Sequence, residues 1–135
     1  RLPALRSRGD VFDLEEVRDR INQTYFRGRA QCRIGWGRSR RPRQGGLTRC
    51  VRFGSWNRPA RTIRVHPGLD DARVPLEFVE YIVFHEMLHS VVPERVAGRR
   101  RYCHTPEFRR LENAFPRLQT VKAMTESVMR IAAEI

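Results

Sequence analysis

The sequence predicts an α+β domain, in which helix comes first, strands follow together, and helices close the chain. Three observations carry this. Apolar residues recur at three- and four-residue spacing near the start,. Three runs rich in β-formers lie close together between Ala30 and His66,. From Pro75 onward the chain returns to helical spacing, with helix-start and helix-stop residues at each boundary,. Strands that do not alternate with helices argue against a βαβ architecture.

The first helix is expected after Asp10 or Asp13, either of which can cap it, with Glu15 and Glu16 in the first turn where the helix dipole favours acid,. Val11, Leu14, Val17, Ile21 and Tyr25 form its apolar face, and Gly28 stops it,. Three strand-like runs follow: AQCRIGWG (Ala30–Gly37), LTRCVRFGSW (Leu47–Trp56) and RTIRVH (Arg61–His66),. The links RSRRPRQGG and NRP read as loops,. Pro75 sits at a helix first turn, and the segment to about Val92 is apolar nearly all round, as a buried helix is,. Pro93 ends it, and ERVAGRRRY reads as a loop. Thr105 is an N-cap with Pro106 behind it, opening a short helix towards Phe115,. A last helix from about Leu118 carries the stripe Leu118, Val121, Met124, Val128, Ile131 and Ile135,.

At 135 residues and 40% hydrophobic content the chain predicts one domain over residues 1–135 with its own core, the last helix (about 118–135) being a candidate extension,. No apolar run reaches the ~18 residues needed to span a bilayer, and no secretory leader is visible,. Cys32, Cys50 and Cys103 form no C-x-x-C pair, which predicts a reducing, cytoplasmic setting,. Lys+Arg 27 against Asp+Glu 15 gives +12, with Lys122 the only lysine. This balance predicts a DNA or RNA partner, bound through the arginine-rich loops Arg38, Arg40, Arg41, Arg43 and Arg99, Arg100, Arg101, with Trp36 and Trp56 as stacking surfaces,. Codon composition accounts equally well for an arginine bias, and both tryptophans lie on strands where core packing competes.

The chemistry concentrates in FHEMLHSVVPERVAGRRRYCHTPEF. His85 and His89 are four apart on the predicted buried helix, so they share a face and can reach one ion,. Glu86 is turned about 100° from His85 around the helix axis. It is therefore off the ligand face, yet near enough to act as a general base,. A catalytic zinc commonly takes three protein ligands. His104 is the best third, because the loop returns it towards the helix and the Thr105 cap fixes its backbone. Glu94 and Glu107 are weaker substitutes, and Cys103 ranks below the histidines. His66, alone at a strand end, reads as structural or exposed. Tyr102 or one of Arg99 to Arg101 is the expected transition-state stabiliser, by proximity to His104,.

These residues resemble the SprT-like (Spartan-type) zincin metallopeptidases and the related small YgjP-like metalloproteases. The resemblance runs through INQTYFRG, IGW, GGLTRC, IRVHPGL, FVEYIVFHEMLHSVVP and HTPEFRRLENAF, from about Phe12 to Pro116, with Thr105 where the family commonly has glycine. It implies a zincin-like fold, one zinc ion on His85, His89 and His104, Glu86 as base, and hydrolysis of a protein or peptide substrate laid along an edge strand, here the second, around Arg49 to Ser55. The zinc-binding cysteine pairs linked to DNA in larger relatives have no counterpart in this sequence, so DNA-dependent proteolysis does not carry over automatically. Two alternatives compete. A zinc-dependent ribonuclease of the YbeY kind has glycine where Glu86 stands and a much closer third histidine. A non-catalytic nucleic-acid-binding module would need a fourth ligand to close a structural zinc site.

Overall fold

The computed structural model describes residues 5–38 and 52–134. Arg40, Arg41, Arg43, Cys50 and the first part of the second strand-like run lie outside the described residues.

Helix α1 (Leu14–Phe26) is capped by Asp13, whose carboxylate accepts the Glu15 N–H at 3.0 Å, and it buries Leu14, Val17 and Ile21. Val11, expected on its apolar face, lies before the helix and is 45% exposed. The reason is the Asp70 carboxylate, which accepts the backbone N–H groups of Asp10, Val11 and Phe12 at 2.7, 2.9 and 3.0 Å. That clamp holds the segment out of the helix, so Asp13 rather than Asp10 becomes the cap. Arg27 and Gly28, at φ 53° and 74°, turn the chain away at the other end,.

Strands β1 (Arg33–Trp36), β2 (Gly54–Asn57) and β3 (Thr62–Val65) form one sheet in the order β1-β3-β2, with β1 parallel and β2 antiparallel to β3. On the far side of β1, Trp36 donates its N–H to Arg6 O at 2.8 Å. Among the described residues, β1 and β2 are the two edges of the sheet, and no further strand pairs with either. A 3₁₀ turn (Pro67–Leu69) is capped by the His66 imidazole, whose Nδ1 accepts the Gly68 N–H at 2.9 Å.

Helix α2 (Leu76–Val91) packs across the sheet and α1, burying Phe78, Val79, Ile82, Val83, Phe84, Met87 and Leu88. Burying one such side chain stabilises the fold by about 1.5–3 kcal/mol, so this helix is the main contributor to the core. Tyr25, Phe84, Phe115 and Tyr81 form an aromatic group beside it, with ring centroids 5.0–5.7 Å apart. Val92 is extended, as the residue before Pro93 must be,.

The segment expected as a loop is a hairpin of β4 (Arg95–Ala97) and β5 (Arg100–Tyr102). Gly98, at φ 63°, occupies the first position of its two-residue turn, where a hairpin of this kind needs glycine,. All six strand residues are exposed, so no in-out alternation marks them in the sequence. Helix α3 (Pro106–Glu112) starts at Thr105, whose hydroxyl accepts the Phe108 N–H at 3.2 Å. The single last helix expected from Leu118 is divided into α4 (Leu118–Ala123) and α5 (Thr125–Ala132). Met124 between them donates its N–H three residues back, to Val121 O, and this tighter turn breaks the helix,. Of the expected apolar stripe, Leu118, Val121 and Val128 are buried, Met124 and Ile131 are half-buried, and Ile135 lies outside the described residues; Ala132 joins the buried face. Helix α5 lies so close on the 3₁₀ turn that a Cβ on Gly68 would meet Ala132 Cα at 2.6 Å.

Trp36 is 4% exposed, which overturns its reading as a stacking surface: the alternation that marks its strand also turns its indole into the core. No helix among the described residues is long and apolar enough to cross a membrane.

Candidate active site

His85 and His89 project from successive turns of α2, with ring centroids 5.0 Å apart. His104 arrives from the end of the hairpin, its ring 5.2 Å from His85 and 4.9 Å from His89. One nitrogen from each ring lies within 4.8 Å of the others, close enough for the three to bind a single metal ion. The floor is Phe108, fully buried, stacked on His89 at 4.5 Å and edge-on to His85 and His104 at 5.1 Å. Thr105 and Pro106 fix the start of α3, and with it both His104 and Phe108. Burial and the two neighbouring histidines lower the His89 pKa to about 4, and burial with His85 also lowers that of His104. Both rings are therefore neutral near pH 7, the form a metal requires.

His85 is held from behind. Its Nδ1 bonds the Glu112 carboxylate, which also accepts the Tyr81 hydroxyl at 3.1 Å. With Nδ1 engaged, Nε2 is the nitrogen left for an ion. The His85 hydrogen bond keeps the Glu112 carboxyl below its ordinary range, while burial and this carboxylate push the Tyr81 phenol up. Glu112 does not stand out in the sequence, because α3 also carries Glu107, Arg109 and Arg110 and looks solvated. The available signal is its i, i+4 spacing from Phe108, which puts it on the one buried face of that helix,.

Glu86 is 7% exposed and stands outside the histidine cluster. Burial raises its pKa, and the fields of His85 and Arg52 oppose that rise. Gly54 on β2 lies directly against it, since a Cβ there would come within 3.1 Å of the Glu86 carboxylate and 2.9 Å of Ile82. The histidines and Glu86 open into a cleft of about 390 Å³, whose other walls include Arg52, Phe53, Trp56, Tyr81 and Glu94.

The remaining expected residues fall elsewhere. Tyr102 is 45% exposed on β5 and does not line the cleft; nor do Arg99, Arg100 and Arg101, because the hairpin pairing directs this stretch to solvent. Arg38 is exposed. Glu94 lines the cleft, but its carboxylate faces Arg58 at 3.3 Å and Arg101 at 4.0 Å. Glu107 is exposed. Cys103 Sγ lies 3.9 Å from His104 Nδ1, beside the three-histidine cluster and not within it.

A three-histidine cluster with a buried glutamate beside it, under an edge strand, coincides with what a family model finds: the model for SprT-like proteins matches residues 14–127. The chain belongs to the SprT-like family. The α+β arrangement, with its small mixed sheet and helical C-terminal part, fits the zincin-type fold of SprT-like proteins. Searches of curated proteins and of solved structures return no match.

Proposed function

We propose that this SprT-like chain is a zinc-dependent metallopeptidase. The observation that carries the proposal is the division of labour at the site: three imidazoles converge on one point, and one buried carboxylate stands beside them without joining them. Borderline nitrogen donors of this kind suit zinc, and a three-histidine set leaves a position open. His85, His89 and His104 would hold a zinc ion, which when bound would supply a Lewis acid for the scissile carbonyl and make water easier to deprotonate,.

Glu86 takes the proton from the attacking water and returns it to the leaving amine. Its raised pKa suits the first half of that cycle, because a carboxylate with more affinity for the proton is the better base,. Glu112 and Tyr81 hold the His85 ring in one orientation and one tautomer,. An extended peptide adds to the outer edge of β2, which starts at Gly54, next to Glu86,. Within the described residues the strand covers 54–57; positions 49–51 of the expected Arg49–Ser55 lie outside them, and Phe53 O accepts the His66 N–H at 2.8 Å as the chain leads into it.

The test joins metal content to hydrolysis. The purified protein should bind about one zinc per chain, His104→Ala should lose it, and Glu86→Gln should keep it while losing about two or more orders of magnitude in cleavage of unfolded protein. Undiminished cleavage by Glu86→Gln removes Glu86 from the mechanism, and zinc retained at full affinity by His104→Ala removes His104 from the ligand set.

A further inference from the structure

Arg52 is the one cation among the described residues that line the cleft. It belongs to the segment that leads into β2, the edge along which an extended peptide would lie. Its Nε donates to Gly54 O at 3.1 Å, which anchors the guanidinium at the rim near Glu86. Its terminal nitrogens have no hydrogen-bond or ion-pair partner among the described residues. The field of Arg52 reaches Glu86, yet no direct ion pair joins them, so the buried carboxylate does not satisfy the guanidinium. The other charged group of the cleft outside the catalytic set, Glu94, is already paired with Arg58 and Arg101. The cleft therefore carries one fixed and uncommitted positive charge.

We propose that Arg52 is a specificity residue, and that the cleft selects peptides bearing a carboxylate, which the guanidinium grips. The planar fork offers parallel N–H donors in the geometry a carboxylate accepts, and such charge-assisted bonds are the strong ones. A rim position permits this, because the guanidinium pays no burial cost before substrate arrives, whereas a peptide seated on β2 would exclude water from the contact. The carboxylate has two sources, an Asp or Glu side chain and the C-terminus of a peptide. The inference rests on the peptidase reading for its substrate class, but its test does not depend on turnover.

The experiment measures binding to the zinc-loaded Glu86→Gln variant, with labelled peptides that differ only in Glu against Gln and in a free against an amidated C-terminus. The expected result is about 10-fold or tighter binding of a carboxylate form, from the strength of charge-assisted bonds. Glu86→Gln/Arg52→Gln should lose this discrimination, and Glu86→Gln/Arg52→Lys should keep part of it. Discrimination by the Glu/Gln pair assigns the side-chain carboxylate, and discrimination by the acid/amide pair assigns the C-terminus. Equal binding of all four peptides, no binding of any, or discrimination that survives Arg52→Gln overturns the proposal. Digestion of a peptide library by the unsubstituted protein reports separately on the peptidase reading, so absent cleavage with intact Arg52-dependent binding would sink that reading alone.

Discussion

Glu112→Gln tests how the site is held together without touching the ligands. The substitution keeps the size and shape of the side chain and removes its charge. In the native arrangement His85 donates through Nδ1 to a carboxylate whose side chain is 13% exposed, so the bond is charge-assisted and only lightly screened. A hydrogen bond to a charged group is worth about 1.5–3 kcal/mol, against about 0.5–1.5 kcal/mol between neutral groups, so roughly 1–2 kcal/mol of preorganisation is lost. That corresponds to roughly a 10-fold loss of zinc affinity, at the lower end of the 10–100-fold range for outer partners of metal-bound histidines. Tyr81→Phe removes only the hydroxyl that steadies Glu112, so its effect should be smaller and in the same direction. Competition titration against a chromophoric chelator gives both affinities, with circular dichroism as the check on folding. A Glu112→Gln variant that is folded and binds zinc within twofold of the native protein would refute the claim that this carboxylate orients His85.

Gly54→Ala forces a methyl group into contact with Ile82 and Glu86, which should cost about 1–3 kcal/mol of stability and depress hydrolysis while leaving zinc affinity unchanged; native activity from this variant would show that β2 need not sit so close,. Burial holds the His66 pKa below its ordinary 6.5, so its contribution to stability is full above that pH and is lost as pH falls through 6.5 towards the folded value,. Chemical unfolding at pH 8 and pH 5 should therefore show a smaller pH effect in His66→Asn, which keeps a cap acceptor and cannot titrate, and an unchanged difference would sink the assignment,. The exposed hairpin arginines should bind DNA or RNA with little sequence preference and steep salt dependence, and changing Arg99, Arg100 and Arg101 to Ser should flatten the salt slope; a slope that does not move would leave the charge without that partner,.

The order of elements and the three histidines can be read from the chain because each depends on spacing within one segment. His85 and His89 share a face by helix geometry alone, and Thr105–Pro106 announces the helix that pins His104,. What could not be read are contacts between segments. Glu112 reaches His85 across 27 positions, the Asp70 carboxylate that keeps Val11 out of α1 acts across 59, and Gly54 meets Glu86 only once β2 is laid on α2. The β4–β5 hairpin was hidden for a different reason, since three-residue strands with no buried face have no periodicity to show. Arg52 shows the same limit from the side of electrostatics. In a chain of +12 one more arginine carries no signal. It becomes distinct only when the fold places it in a cleft where the neighbouring acid, Glu94, already has its own cations. Motif spacing therefore locates the candidate reacting groups, whereas the groups placed to orient them and to meet a substrate are set by the packing of α2 against β2 and α3.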